Sequence, residues 1–181
     1  MIARGVLAAA LAALAVLLGG CGLVGRTEAL RQDAPQVMTV SSPVIGQGMV
    51  LPRRYTCHGQ GESPPIDWSG VPQGTKSIAL VLDDSNAPIT PYVYWIVFDI
   101  SPTRSYIQAG RLPSGARLAV NSSGAAKFSP PCPLTRSHQY RFTVYALNAM
   151  LRQPPGARLE TAWSAIAAHA IARGRLTATA R

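Results

Sequence analysis

Residues 77–100 read SIALVLDDSNAPITPYVYWIVFDI. Two apolar runs rich in Val, Ile, Leu and aromatic residues, Ser77–Leu82 and Val93–Ile100, flank a connection that holds Asp83, Asp84, Asn86 and two prolines. Short runs of this composition bounded by turn residues predict strands. A plain strand-to-strand turn has no need of two acids, an amide and rigid residues, so the connection is a candidate site wall. Val37–Ile45 and Gln139–Leu147 read as further strands, and 15 prolines and 16 glycines are spread through the chain. Many short strands with frequent turn signals predict a mainly β fold, a sandwich or barrel. One helix is expected over Leu159–Arg173, where Leu159, Trp163, Ile166, Ala167, Ala170 and Ile171 recur at helical spacing and Gly174 follows as a stop. Arg175–Ala180 is left for a last short strand.

The N-terminus has a different character. MIARGVLAAALAALAVLLGGC carries one charge at Arg4, an apolar core from Val6 to Leu18 and two glycines before Cys21. That is the pattern of a secretory signal peptide over residues 1–20. Its apolar run is shorter than the ~20 residues that cross a bilayer. Leu18-Gly19-Gly20-Cys21 resembles the bacterial lipobox, whose cysteine receives diacylglycerol through sulfur. The expectation is a protein anchored by lipid on Cys21 to the outer face of a bacterial cell membrane. Residues 21–36 would form a tether with a coil reach of roughly 20 Å, and residues 37–181 a single domain.

Export leaves Cys57 and Cys132 either as a disulfide pair or as two buried free thiols. The net charge of +9 falls to +8 once Arg4 is removed with the signal. In a cytosolic chain this balance would raise nucleic acid as a partner. Outside the cytoplasm an anionic bilayer or cell-wall polymer is the electrostatic partner that fits. Because 15 of the 17 basic residues are arginine, the charge also reflects composition as much as a binding role.

No nucleophile elbow, zinc-protease helix or phosphate-binding glycine loop occurs, and His58, His138 and His169 show no metal-ligand spacing. Neither a metal nor a cofactor is expected, and no catalytic residue is assigned. His138 and Tyr140 differ from the other polar residues in spacing: two apart on a strand, they face one side. They offer an imidazole and a phenol as donors to an anion. SPPCPL, residues 129–134, precedes them as a rigid loop.

Four ordered blocks, YTCHGQGESPPIDWSGVPQGTKSIALVLDDSNAP, VYWIVFDI, FSPPCPLTRSHQYRFTVYAL and HAIARGRLTATAR, together resemble the phosphatidylethanolamine-binding protein family in its bacterial Raf-kinase-inhibitor-like branch. The resemblance runs from about Val37 to Arg181. It implies a β-sandwich of two antiparallel sheets with a C-terminal helix beside a small anion-binding pocket. The family pocket uses a DPDAP segment, a His-Trp pair, a GPxPP-like loop and a His-x-Tyr pair. By resemblance Asp84 takes the first acid and Asn86 replaces the second. Tyr94 stands in the histidine place before Trp95, Pro130 replaces the loop glycine, and Leu134 replaces a final proline. His138 and Tyr140 match directly. The implied function is non-catalytic binding of a small anion, a phospholipid headgroup or phosphorylated metabolite. His138, Tyr140 and Tyr94 would donate to it, Asp84 would orient His138 or accept from an ammonium, and Pro130 and Pro131 would form a wall. The second implied class is an inhibitor or regulator of an envelope protease or kinase, acting through surface loops.

Overall fold

In a computed structural model, residues 34–87, 91–132 and 138–180 are described. The signal peptide, Cys21, Leu134 and Arg181 lie outside them. Eight strands and one helix follow in order: β1 (Thr39–Ser41), β2 (Ile66–Ser69), β3 (Ser77–Asp84), β4 (Tyr92–Ile100), β5 (Tyr106–Ile107), β6 (Arg117–Leu118), β7 (His138–Leu147), α1 (Leu159–His169) and β8 (Ala170–Ala180). They make a three-stranded sheet, β1-β2-β5, and a five-stranded sheet, β6-β4-β3-β7-β8. All the strand pairs are antiparallel.

β3 is buried along its whole length because apolar layers cover both faces of the large sheet. On one side Leu80, Leu82, Trp95, Val97, Phe142, Val144 and Leu176 pack with Val40, Ile66 and Trp68 of the small sheet. On the other, Ala79, Val81, Ile96, Phe98, Tyr145 and Leu147 pack under Ala162 and Ile166 of α1. Completely buried aliphatic side chains such as Ile166 each stabilise the fold by roughly 1.5–3 kcal/mol.

The helix ends four residues before the expected Arg173. From Ala170 the chain is β8, paired with β7 from Leu147↔Ala170 to His138↔Ala180. The deciding signal is an alternation of period two: Ala172, Gly174, Leu176, Ala178 and Ala180 are buried and their neighbours half-exposed. Ladder bonds and core burial along eleven residues outweigh the weak helical preference of an alanine-rich stretch. Gly174 is therefore not a helix stop. A Cβ there would lie 2.3 Å from the Met38 carbonyl oxygen, so glycine permits the close approach of the segment leading into β1. The expected first strand, Val37–Ile45, contracts to three residues. The Pro35 carbonyl accepts from Arg173 N–H at 3.0 Å and Gln36 bridges to Arg173, so these two residues lie along β8.

One irregularity shapes the site. β4 pairs Trp95 with Leu82 and then Val93 with Asp83, so Tyr94 is an extra residue in the ladder. On a regular strand Tyr94 and Trp95 would face opposite sides. The bulge lets both turn to the inter-sheet side, where Trp95 is core and Tyr94 packs at its margin.

Candidate anion-binding site

The polar connection quoted at the outset meets the start of β7 at one end of the large sheet. Asp84 is the last residue of β3 and pairs with Tyr92 on one side and Tyr140 on the other. His138, two residues before Tyr140, reaches back so that its Nδ1 lies 2.6 Å from Asp84 Oδ2. The other carboxylate oxygen accepts the Asn86 N–H at 2.8 Å, a turn in which an Asp side chain replaces a backbone carbonyl. Asp84 is only 1% exposed, and these two donors compensate its charge.

Above this pair stand the phenols. The Tyr94 ring lies 5.6 Å from that of Tyr140, edge to face, and 4.8 Å from that of Tyr92. The His138 and Tyr140 rings are nearly parallel, 6.1 Å apart. Burial pushes the Tyr94 hydroxyl up to about 12, with the nearby Asp84 charge adding to the rise and a hydrogen bond from Tyr140 opposing it. Tyr140 is raised further, first by burial and then by Tyr94 and Asp84. Both therefore keep their protons at neutral pH and remain donors. With Nδ1 engaged by Asp84, the His138 atom left for a ligand is Nε2. In the neutral tautomer that donates to Asp84, Nε2 can only accept; it donates to an anion once the ring is an imidazolium.

The proline-rich wall is held from two directions. Ser129 N–H donates to the Tyr94 carbonyl at 3.1 Å, and the Pro131 carbonyl accepts from Cys57 N–H at 3.0 Å. Pro130 lies against Gly61, where a Cβ would approach its ring to 3.3 Å. A disulfide joins Cys57 to Cys132 across 75 residues of sequence, a loop closure that stabilises by roughly 4 kcal/mol on the chain-entropy model. The fold also gathers His58 with these two cysteines, their ligand atoms lying within 4.8 Å of one another, a grouping that linear spacing did not reveal. The sulfurs are bonded to each other, so they offer no thiolate to a metal.

The structure thus brings Asp84, Tyr94, His138 and Tyr140 together and fixes Pro130 and Pro131 through the same frame. Sequence reasoning missed Tyr92, which packs on Tyr94, and Asn121. The Asn121 side chain is buried and donates to the Tyr94 carbonyl, the Lys127 carbonyl and Ser129 Oγ at 3.1, 2.9 and 2.8 Å. Its oxygen accepts from the Ser123 and Ala125 N–H groups. An asparagine in VNSSG reads as a turn residue, and nothing local marks it as the tie between wall and bulge.

Comparison with known proteins agrees with the two-sheet fold. The chain is 39% identical over 131 residues to the "UPF0098 protein" of Methanothermobacter thermautotrophicus, covering 70% of this chain and 87% of that protein. It is 37% identical over 192 aligned residues to the "Putative lipoprotein LppC" of Mycobacterium tuberculosis, covering 96% of this chain and 94% of the relative. The crystal structure of Escherichia coli YbcL, described as a member of the mammalian PEBP family, superposes with a TM-score of 0.76 at 29% identity, covering 80% of this chain and 98% of that one. The family model for phosphatidylethanolamine-binding protein matches residues 41–181, and with the two-sheet architecture this shows that the chain belongs to the phosphatidylethanolamine-binding protein family.

Proposed function

We propose that this protein is a non-catalytic binding module for a small anionic group, a phospholipid headgroup or phosphorylated metabolite, held at a bacterial membrane by lipid on Cys21. The observation that carries the reading is the convergence of His138, Tyr140 and Tyr94 around the buried Asp84. Two protonated phenols, and an imidazole that donates from Nε2 when it is an imidazolium, supply donors to phosphate oxygens without a nucleophile beside them. Asp84 keeps His138 oriented through the Nδ1 contact. Anchoring is supported by the Leu18–Cys21 pattern and by the lipoprotein name carried by the mycobacterial relative. Among the described residues no helix is long and apolar enough to cross a membrane.

Calorimetry of the purified protein with inorganic phosphate and with phosphoethanolamine tests the ligand. Saturable binding at one site, with the two probes competing, is the expected result. Absence of binding to either from pH 5 to 8 sinks the binding-module reading. Anchoring is tested separately: Cys21→Ser expressed in the native host should leave the membrane fraction or remain unprocessed, and unchanged partitioning with normal cleavage rules the lipid out.

A further inference from the structure

The edge of the large sheet carries a row of side chains that the anion site does not use. β8 is the edge strand, and two N-terminal segments lie along it. Gln36 bridges to Arg173, Gly48 N–H donates to the Thr177 carbonyl at 2.7 Å, and Val50 bridges to Thr179. From Arg173 to Thr179 this border extends about 20 Å at strand rise. Seven large apolar side chains are exposed among the described residues, and three of them, Val37, Met49 and Val50, belong to these two segments. Met49 and Val50 are the most exposed, at 63% and 67%.

Among the described residues the charge along this border has one sign. No acidic side chain occurs from Ala34 to Gly61 or anywhere in β8, while Arg53, Arg173 and Arg175 lie beside the apolar row. Their Nε atoms donate to neutral oxygens, those of the His58 carbonyl, the Ala34 carbonyl and the Thr143 hydroxyl respectively. Among the described residues no acidic side chain forms an ion pair with any of the three.

The chain toward Cys21 leaves the domain at the same border. Ala34, the first described residue, accepts from Arg173, and only residues 22–33 separate it from Cys21. A coil of that length reaches roughly 20 Å.

We infer that the β8 border, with Met49 and Val50 at its tip and Arg53, Arg173 and Arg175 along it, is the face that docks on an anionic phospholipid bilayer. Exposed apolar side chains enter the interface while flanking guanidinium groups meet lipid phosphates. The inference rests on the membrane-anchoring reading and deepens it. Val50 neighbours Thr179, and Ala180 pairs with His138 on the next strand, so the anion site lies two strand spacings, about 10 Å, from the docked edge. An edge-on domain would then hold its site at the level of the headgroups.

The test uses mature protein purified as the lipoprotein and reconstituted in phosphatidylcholine vesicles with phosphatidylglycerol as the anionic component. Val50→Trp and Met49→Trp are compared with Tyr106→Trp, an exposed position on the small sheet, and flotation is scored alongside quenching by brominated acyl chains. The expected result is blue-shifted emission at positions 49 and 50, quenched several-fold more than at 106, with the difference shrinking when phosphatidylglycerol is omitted. Protein that floats but shows equal quenching at all three positions overturns the docking face and leaves anchoring intact. Blue-shifted emission without quenching also overturns it, since the row is then covered by protein. Protein that does not float overturns the anchoring reading and the docking face with it.

Discussion

Asp83 and Asp84 are adjacent, both buried and both faced by a basic residue of β7, yet they make opposite kinds of pair. Asp83 points to the helix-side face and is gripped by Arg141 through two guanidinium nitrogens, Nε to Oδ1 at 3.0 Å and the Nη2 contact to Oδ2. Arg141 is held above its already high ordinary value, first by that hydrogen bond, so its guanidinium stays charged at every physiological pH. Asp84 points to the sheet's open end and shares one oxygen with a ring that can gain or lose a proton. The difference teaches which acid is structural: a carboxylate saturated by arginine has no capacity for a ligand, whereas one paired with histidine leaves Nε2 to respond.

The largest expected effect breaks the first pair. Arg141→Ala leaves Asp83 buried without its partner and should cost roughly 2–4 kcal/mol in urea denaturation, while anion affinity stays unchanged. A fall in affinity as large as that in stability would show that the two acids do not act separately.

His138→Ala should do the reverse. Phosphate binding should weaken by roughly 1.5–3 kcal/mol if the bond is charge-assisted, about 10- to 150-fold. Calorimetry reads the loss, and an affinity equal to that of the wild type would remove His138 from the site.

Tyr94→His sharpens the comparison by adding a second titratable ring, and restores the residue that the family resemblance places before Trp95. Binding should strengthen by about 1 kcal/mol, roughly fivefold, mostly below about pH 6.5 where an unperturbed imidazole gains its proton. Binding by this variant but not by wild type would mean that the frame is intact while its chemistry has lapsed, moving the function to the outer surface.

The smallest effect concerns Asp99, a third buried acid. Its backbone is left-handed at φ 57°, and its Oδ1 accepts the Leu151 N–H at 2.7 Å. Burial raises its carboxyl above the ordinary value, more than Leu151 and Arg117 lower it. The folded protein therefore holds this proton more tightly than the unfolded chain does. Stability from the group is full in acid and is lost as pH rises through the raised folded value. Asp99→Asn keeps the acceptor and tolerates the left-handed backbone, so it should stabilise slightly at neutral pH, by up to about 1 kcal/mol. The gain should shrink in thermal melts at acidic pH, and an equal gain at all pH values would contradict the burial argument.

Much of the fold was legible because burial writes directly into sequence. The uninterrupted run Ser77–Leu82 belongs to a strand covered on both faces, and the helical recurrence from Leu159 marked a helix packed on one. The same logic misplaced that helix's end. Ala170–Arg173 fits either period, and an alternation built from alanine and glycine is too faint to read beside stronger helical signals.

From residue pattern alone came the mainly β class, the signal-like stretch before Cys21 and the shared face of His138 and Tyr140, since strand parity is a local property; the two-sheet sandwich and the places of Asp84 and Tyr94 were implied only by the family resemblance. Tertiary structure alone decided the rest: the bulge that turns Tyr94 to the inter-sheet side, the tie from Asn121 to the wall, the engagement of Asp83 by Arg141, and the approach of Met38 that Gly174 allows. Each depends on which strand lies opposite which. That register is fixed by the summed burial of both sheets, and no short stretch of chain contains it.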